Sequence, residues 1–152
     1  MSSRISKDRY YLYIAAVASS RSTCLRAHYG AVLVNRDRIV STGYNGNPRG
    51  MLNCCDTGRC TKEDPDHNSS PESYNLCKAV HAEMNAMIQA TPEELDGATL
   101  YLWGKVMGEE SWIPVPATPC PICLRMLQNA GVCDIVNLEG RRLITEETGC
   151  QY

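Results

Sequence analysis

Two short stretches decide the fold and the chemistry: Val80-His81-Ala82-Glu83 and Pro119-Cys120-Pro121-Ile122-Cys123. Each stands where a helix should begin. From Ala79 the apolar residues Val80, Met84, Met87 and Ile88 recur at helical spacing until Thr91-Pro92 ends the run. After Cys120, Pro121 suits the first helical position, Leu124 and Leu127 keep the period, and Gly131 suits the stop. Two helix starts that both carry metal-ligating side chains can converge on one ion. His81 offers an imidazole, and Cys120 and Cys123 offer thiolates. Together they fill three corners of a zinc tetrahedron and leave the fourth to water, the layout of a zinc site that does chemistry rather than one that only holds structure. A lone histidine here would more often be a core residue, but Glu83 and the two cysteines reverse that prior. Glu83 is not needed as a ligand and is the candidate catalytic proton carrier. Thiolates at a helix start are expected to have a lowered pKa.

Outward from these motifs, the chain alternates helical and strand patterns. Tyr11, Ile14, Ala15 and Ala18 share a face, which predicts a helix from about Asp8 to Ser20. Gly30–Val34 and Arg38–Gly43 are two β-rich runs with a short polar turn between them, the pattern of an antiparallel hairpin. Tyr44-Asn45-Gly46-Asn47-Pro48-Arg49-Gly50 is a shaped loop, in which Asn45 alone would read as a turn residue tolerant of a left-handed backbone. Ala98–Trp103 reads as a buried strand, Gly104–Thr118 as a loop, Cys133–Leu138 as a last strand, and the tail from Glu139 as polar and peripheral. That order predicts an α/β layered domain with a mixed sheet covered by helices, and residues 1–152 as one domain.

Met51–Lys78 has little periodicity and holds Cys54, Cys55, Cys60, His67 and Cys77. A loop so long is usually functional or stapled by metal. The competing expectations are a second, closed zinc site and a set of incidental thiols, with the site favoured. Met1–Asp8 is polar and no apolar run approaches a membrane span, so the expectation is a cytoplasmic, reducing setting where clustered cysteines bind metal. The formal net charge is −2, with no basic stripe to hold long nucleic acid by its backbone. A small anionic substrate needs only a local cluster of cations. Arg26 and Arg49, both in loops, are the candidates.

Zinc held by three ligands acidifies water enough to supply a nucleophile near neutral pH. Attack on an electron-poor ring carbon that carries an amino group would then need a proton at the ring nitrogen and at the departing ammonia, both within the reach of a carboxylate at Glu83. Such transfers are typically worth roughly 10²–10⁴-fold in rate. The backbone around Ala82 and Cys120 could also hydrogen-bond the ring.

His-x-Glu with a later Pro-Cys-x-x-Cys is a known signature of zinc deaminases that act on nucleobases. The chain from about Asp8 to Leu138 resembles the deoxycytidylate (dCMP) deaminases of the cytidine deaminase-like superfamily. The likeness rests on Cys24-Leu25-Arg26 with Gly30-Ala31, on Gly43–Gly50, on His81-Ala82-Glu83-Met84-Asn85-Ala86 and on Pro119–Cys123. It is the loop Gly43–Gly50 that narrows the likeness to dCMP. The resemblance implies a three-layer α/β/α fold with a mixed five-stranded sheet. It implies a catalytic zinc on His81, Cys120 and Cys123, Glu83 as proton shuttle, Asn45 against the nucleotide and Arg26 near its phosphate. It further implies dUMP as product, feeding thymidylate synthesis, and a homo-oligomer, hexameric by preference. It implies activation by dCTP and inhibition by dTTP, with magnesium entering only with the effector. Some members carry a second zinc at positions matching Cys24 and Cys54; Cys60 and Cys77 extend that set, with His67 or Cys55 as substitutes. Two departures stand out. Ile88-Gln89-Ala90-Thr91-Pro92 lacks the aromatic residue and arginine of some regulated members, and the Gly104–Thr118 loop is longer than in many. Two other readings compete: deamination of a base in tRNA or single-stranded nucleic acid, against which the acidic charge counts, and a zinc-stapled binding module, which has no need of Glu83.

Overall fold

The β-rich runs form the predicted hairpin, longer at each outer end than the pattern implied. In the computed structural model, which describes residues 3–63 and 76–144, strand β1 (Ala27–Asn35) pairs antiparallel with β2 (Arg38–Tyr44). Their turn residues Arg36 and Asp37 both have positive φ, 50° and 62°. A two-residue hairpin turn that follows the strand twist requires this of both central residues. Asp37 is held by an ion pair with Lys7 and accepts a 2.9 Å hydrogen bond from the Tyr11 hydroxyl.

Around the hairpin lie helices α1 (Lys7–Ser19), α2 (Cys54–Thr57), α3 (Ala82–Ile88), α4 (Pro92–Leu95) and α5 (Pro121–Asn129). The remaining strands are β3 (Thr99–Met107), β4 (Trp112–Val115), β5 (Asp134–Asn137) and β6 (Gly140–Leu143). The sheet order is β2-β1-β3-β5-β6, with β4 paired to β3 off that path. β3 runs parallel to β5 through the α5 crossover, and the other pairings are antiparallel. The mixed sheet predicted from the sequence is therefore present, with six strands instead of five. Two strands lie outside the four stretches read as strands, and the first comes from the stretch read as a loop. β3 runs on to Met107 and turns back through β4, whose Pro114 is tolerated because β4 has no partner beyond β3. The stretch read as a peripheral tail supplies β6, where Arg141 bridges Asp134 at 2.6 Å and Asp8 at 2.7 Å.

Helices cover both faces. Tyr11, Leu12 and Ala15 of α1 pack on Val32, Val34, Tyr101 and Val136. Ala82, Ala86 and Met87 of α3 and Leu127 of α5 pack on Ala31, Leu33, Leu100 and Leu102. Two glycines set the spacing. A Cβ on Gly30 would sit 1.9 Å from the Ala15 carbonyl oxygen, and one on Gly43 would sit 2.2 Å from the Ala82 carbonyl oxygen. Close helix–sheet approach explains why the predicted stripe on α3 was wrong. Its buried face is Ala82, Glu83, Ala86 and Met87, Ile88 is 74% exposed, and Val80 precedes the helix in a bridge to Gly46. Small side chains, not large ones, face the sheet here.

Candidate active site

His81 caps α3 from an extended backbone (φ −71°, ψ 155°), and Glu83 lies in the first helical turn. Cys120 caps α5, and its sulfur accepts a 3.4 Å hydrogen bond from the backbone N–H of Cys123. The two helix starts meet as their sequence position required. His81 Nδ1 lies 3.6 Å from Cys120 Sγ and 3.4 Å from Cys123 Sγ. A tetrahedral zinc with ordinary Zn–N and Zn–S bonds needs an N···S edge of about 3.6 Å. The donor set therefore fits the ion in both chemistry and spacing. All three donor atoms lie within 4.8 Å of one another, and among the described residues no other such group occurs.

Burial sets the protonation of this cluster. Desolvation lowers the pKa of His81, assisted by the nearby Lys62 charge, so the imidazole is neutral and free to ligate. Glu83 is 5% exposed, and desolvation raises its carboxyl pKa against the lowering effect of its own backbone N–H. A raised carboxyl pKa brings the group closer to the pH at which it can both take and give a proton. Cys123 departs from expectation. Burial pushes its thiol up, and the Glu83 charge adds to that, outweighing the helix start. A metal must displace that proton.

The site opens into a pocket of about 410 Å³, a size suited to a small ligand. Ala82, Asn45 and Arg26 line it; Arg49, in an exposed turn, is not among the lining residues. Asn45 is 7% exposed and its φ is not positive, so it is no left-handed turn residue. Its Oδ1 accepts from the Tyr29 N–H at 2.8 Å and its Nδ2 donates to the Ala27 carbonyl at 3.0 Å, splicing the loop onto β1. Each atom keeps one further hydrogen-bonding position. The loop then meets the approach to His81 through paired backbone bonds between Gly46 and Val80, of 3.2 and 2.8 Å.

Cys24, Cys54, Cys60 and Cys77 line the same pocket. Burial raises the Cys54 pKa, and the charges of Cys60, Cys24, Cys77 and Cys55 raise it further. These sulfurs are neighbours, yet no three of them close to within 4.8 Å. His67 lies outside the described residues. Residues the sequence reading passed over also reach the pocket: Tyr29, Lys62 and Lys78. Lys78 was signalled by standing three residues before His81, whereas Lys62 sits in an aperiodic stretch with no local signal.

The family model for the cytidine and deoxycytidylate deaminase zinc-binding region matches residues 5–139. A deoxycytidylate deaminase of Mycobacterium phage D29 is 36% identical over 135 residues, covering 88% of this chain and 95% of that protein. One from Saccharomyces cerevisiae is 31% identical over 146 residues, which is 94% of this chain but only 41% of the yeast protein's length. Among solved structures, the dCMP deaminase of cyanophage S-TIM5 in complex with dCMP and dUMP aligns with a TM-score of 0.58 at 27% identity, over 87% of this chain and 82% of that one.

Proposed function

Because the chain belongs to the cytidine and deoxycytidylate deaminase zinc-binding family, we propose that it is an enzyme converting dCMP to dUMP and ammonia through one deaminase domain spanning residues 1–152. The observation that carries this is the His81–Cys120–Cys123 triangle beside a buried carboxyl, Glu83, at the end of a pocket open to solvent. Zinc in such a site supplies a Lewis acid that makes water nucleophilic near pH 7. His81 Nδ1 and the two sulfurs would hold it. The Glu83 carboxyl would take one proton from water as its oxygen bonds to the ring carbon and give it to the pyrimidine ring nitrogen; it would then carry the remaining hydroxyl proton to the amino group, which leaves as ammonia as the carbonyl forms. Asn45 Nδ2 and the Ala82 backbone orient the nucleotide, and Arg26 meets its phosphate.

The finer parts of the proposal rest on family likeness. They are a supply of dUMP to thymidylate synthesis, a hexameric homo-oligomer in the cytoplasm, and control by dCTP and dTTP with magnesium on the effector. A second zinc on Cys24, Cys54, Cys60 and Cys77 is supported by their mutual approach, and elemental analysis near two zinc ions per chain is the expected result. No helix among the described residues is long and apolar enough to cross a membrane.

Ammonia release from dCMP, deoxycytidine and a tRNA tests the substrate. The expected order is dCMP far ahead of deoxycytidine, with none from tRNA; release from tRNA alone contradicts the proposal.

A further inference from the structure

Apart from its metal-binding side chains, the pocket wall is cationic. Arg26, Lys62 and Lys78 all line it. They arrive from three separate segments: the approach to β1, the short helical turn Thr61–Glu63, and the approach to His81. The Thr61 hydroxyl donates to the Leu76 carbonyl at 2.9 Å, which ties the Lys62 segment beside the one that carries Lys78. Among the described residues the only carboxylate in the lining is Glu83, which belongs to the proton transfers. Among the described residues, Arg26 and Lys78 enter no ion pair. Among its described residues, a chain with net charge −2 thus turns three cations and one buried acid toward a single concavity. Same-sign charges gathered in a cleft focus the field and favour an anionic ligand.

We propose that Lys62 and Lys78 join Arg26 to hold the 5′-phosphate of the substrate, and that these two lysines set the preference for a nucleoside monophosphate over the bare nucleoside. This inference rests on the deaminase function proposed above. Lysine suits the task because its ammonium is a point charge on a flexible stem, able to follow a rotating phosphate. Lys78 is also joined to the chemistry. It stands three residues before His81, and the Gly46–Val80 backbone pair fixes the strand between them. A phosphate gripped by Lys78 is therefore in a set register with the metal ligand, which delivers the ring to Glu83.

The experiment is steady-state kinetics on dCMP and on deoxycytidine for the zinc-loaded wild type, Lys62→Gln, Lys78→Gln and the double variant. Arg142→Gln, on the exposed edge strand β6, is the charge control. Losing one charge-assisted contact is expected to raise KM for dCMP about tenfold, and losing both about 100-fold, with kcat within twofold. Deoxycytidine turnover and zinc content should not move, and Lys78→Arg should recover most of the loss. A structural role would lower both substrates alike. Inhibition by inorganic phosphate, competitive with dCMP, should weaken in the double variant. A double variant whose KM for dCMP shifts less than twofold, in a protein that turns over dCMP, overturns the lysine assignment alone. A wild type inert toward dCMP overturns the deaminase reading instead.

Discussion

Replacing Gly43 with alanine should disable a site that Gly43 never touches. A Cβ there would meet the Ala82 carbonyl oxygen at 2.2 Å and the Ala86 nitrogen at 2.5 Å. Both are backbone atoms of α3, so no side chain can swing aside. Ordinary contact distances require the helix to retreat by about 1 Å. That helix carries Glu83 and is capped by His81, while Cys120 and Cys123 belong to α5 and stay behind. Metal sites tolerate about ±0.2 Å in ligand distance. Misplacement by about 1 Å can cost roughly 100-fold in rate, and overpacking costs about 1–3 kcal/mol in stability. The matched control is Gly97→Ala. Gly97 has φ +80° and nothing within 4 Å of an added Cβ, so that variant loses about 1 kcal/mol to backbone strain but keeps its activity. The assay is dCMP-dependent ammonia release per folded molecule, with zinc content and melting temperature measured alongside. A Gly43→Ala enzyme with wild-type kcat/KM and full zinc refutes the reasoning that helix–sheet spacing sets the site.

Other expectations follow from single groups. Zinc uptake by metal-free protein should release protons at pH 7, at least one of them from Cys123, because burial keeps that thiol protonated and His81 is already neutral; calorimetry in buffers of different ionisation enthalpy reads this, and zero release contradicts it. Tyr101 has its pKa raised from 10.0 to about 12 by burial and by its bond to Asp8. The folded state therefore holds the proton longer than the unfolded one, and stability present below pH 10 is lost as pH climbs toward 12. After screening at half-exposed Asp8 and Arg141, the loss is at most about 2 kcal/mol, and Tyr101→Phe should flatten that part of the denaturation profile. Leu127, fully buried against Ala86 and Leu100, should cost about 2–5 kcal/mol as alanine, with catalysis per folded molecule retained.

The parts of the fold that were legible had local physical causes. Two β-rich runs around a short polar turn gave the hairpin, and Pro121 with Gly131 gave both ends of α5. The candidate metal ligands His81, Cys120 and Cys123 were legible because spacing and residue type both point to them. What was missed depends on the sheet as a whole. Gly140–Leu143 looks like a polar tail because all four residues are exposed, yet β5 gives it an edge to pair with. Trp112–Val115 needed an overlong β3 as its partner. The buried face of α3 was misjudged because hydrophobic size was weighed and close approach over Gly43 was not. Asn45 read as a turn residue because its partners Ala27 and Tyr29 lie 16 and more positions away. Lys62 reaches the pocket only through the folding of an aperiodic loop.

The most direct test of the central claim is Glu83→Gln, assayed for zinc and for dCMP turnover together. Glu83 is not a ligand, so zinc content should equal that of wild type, while the rate should fall by at least about 100-fold for want of a proton carrier. Unchanged turnover with zinc in place contradicts the assignment of Glu83 to catalysis, and loss of zinc contradicts its exclusion from the metal site.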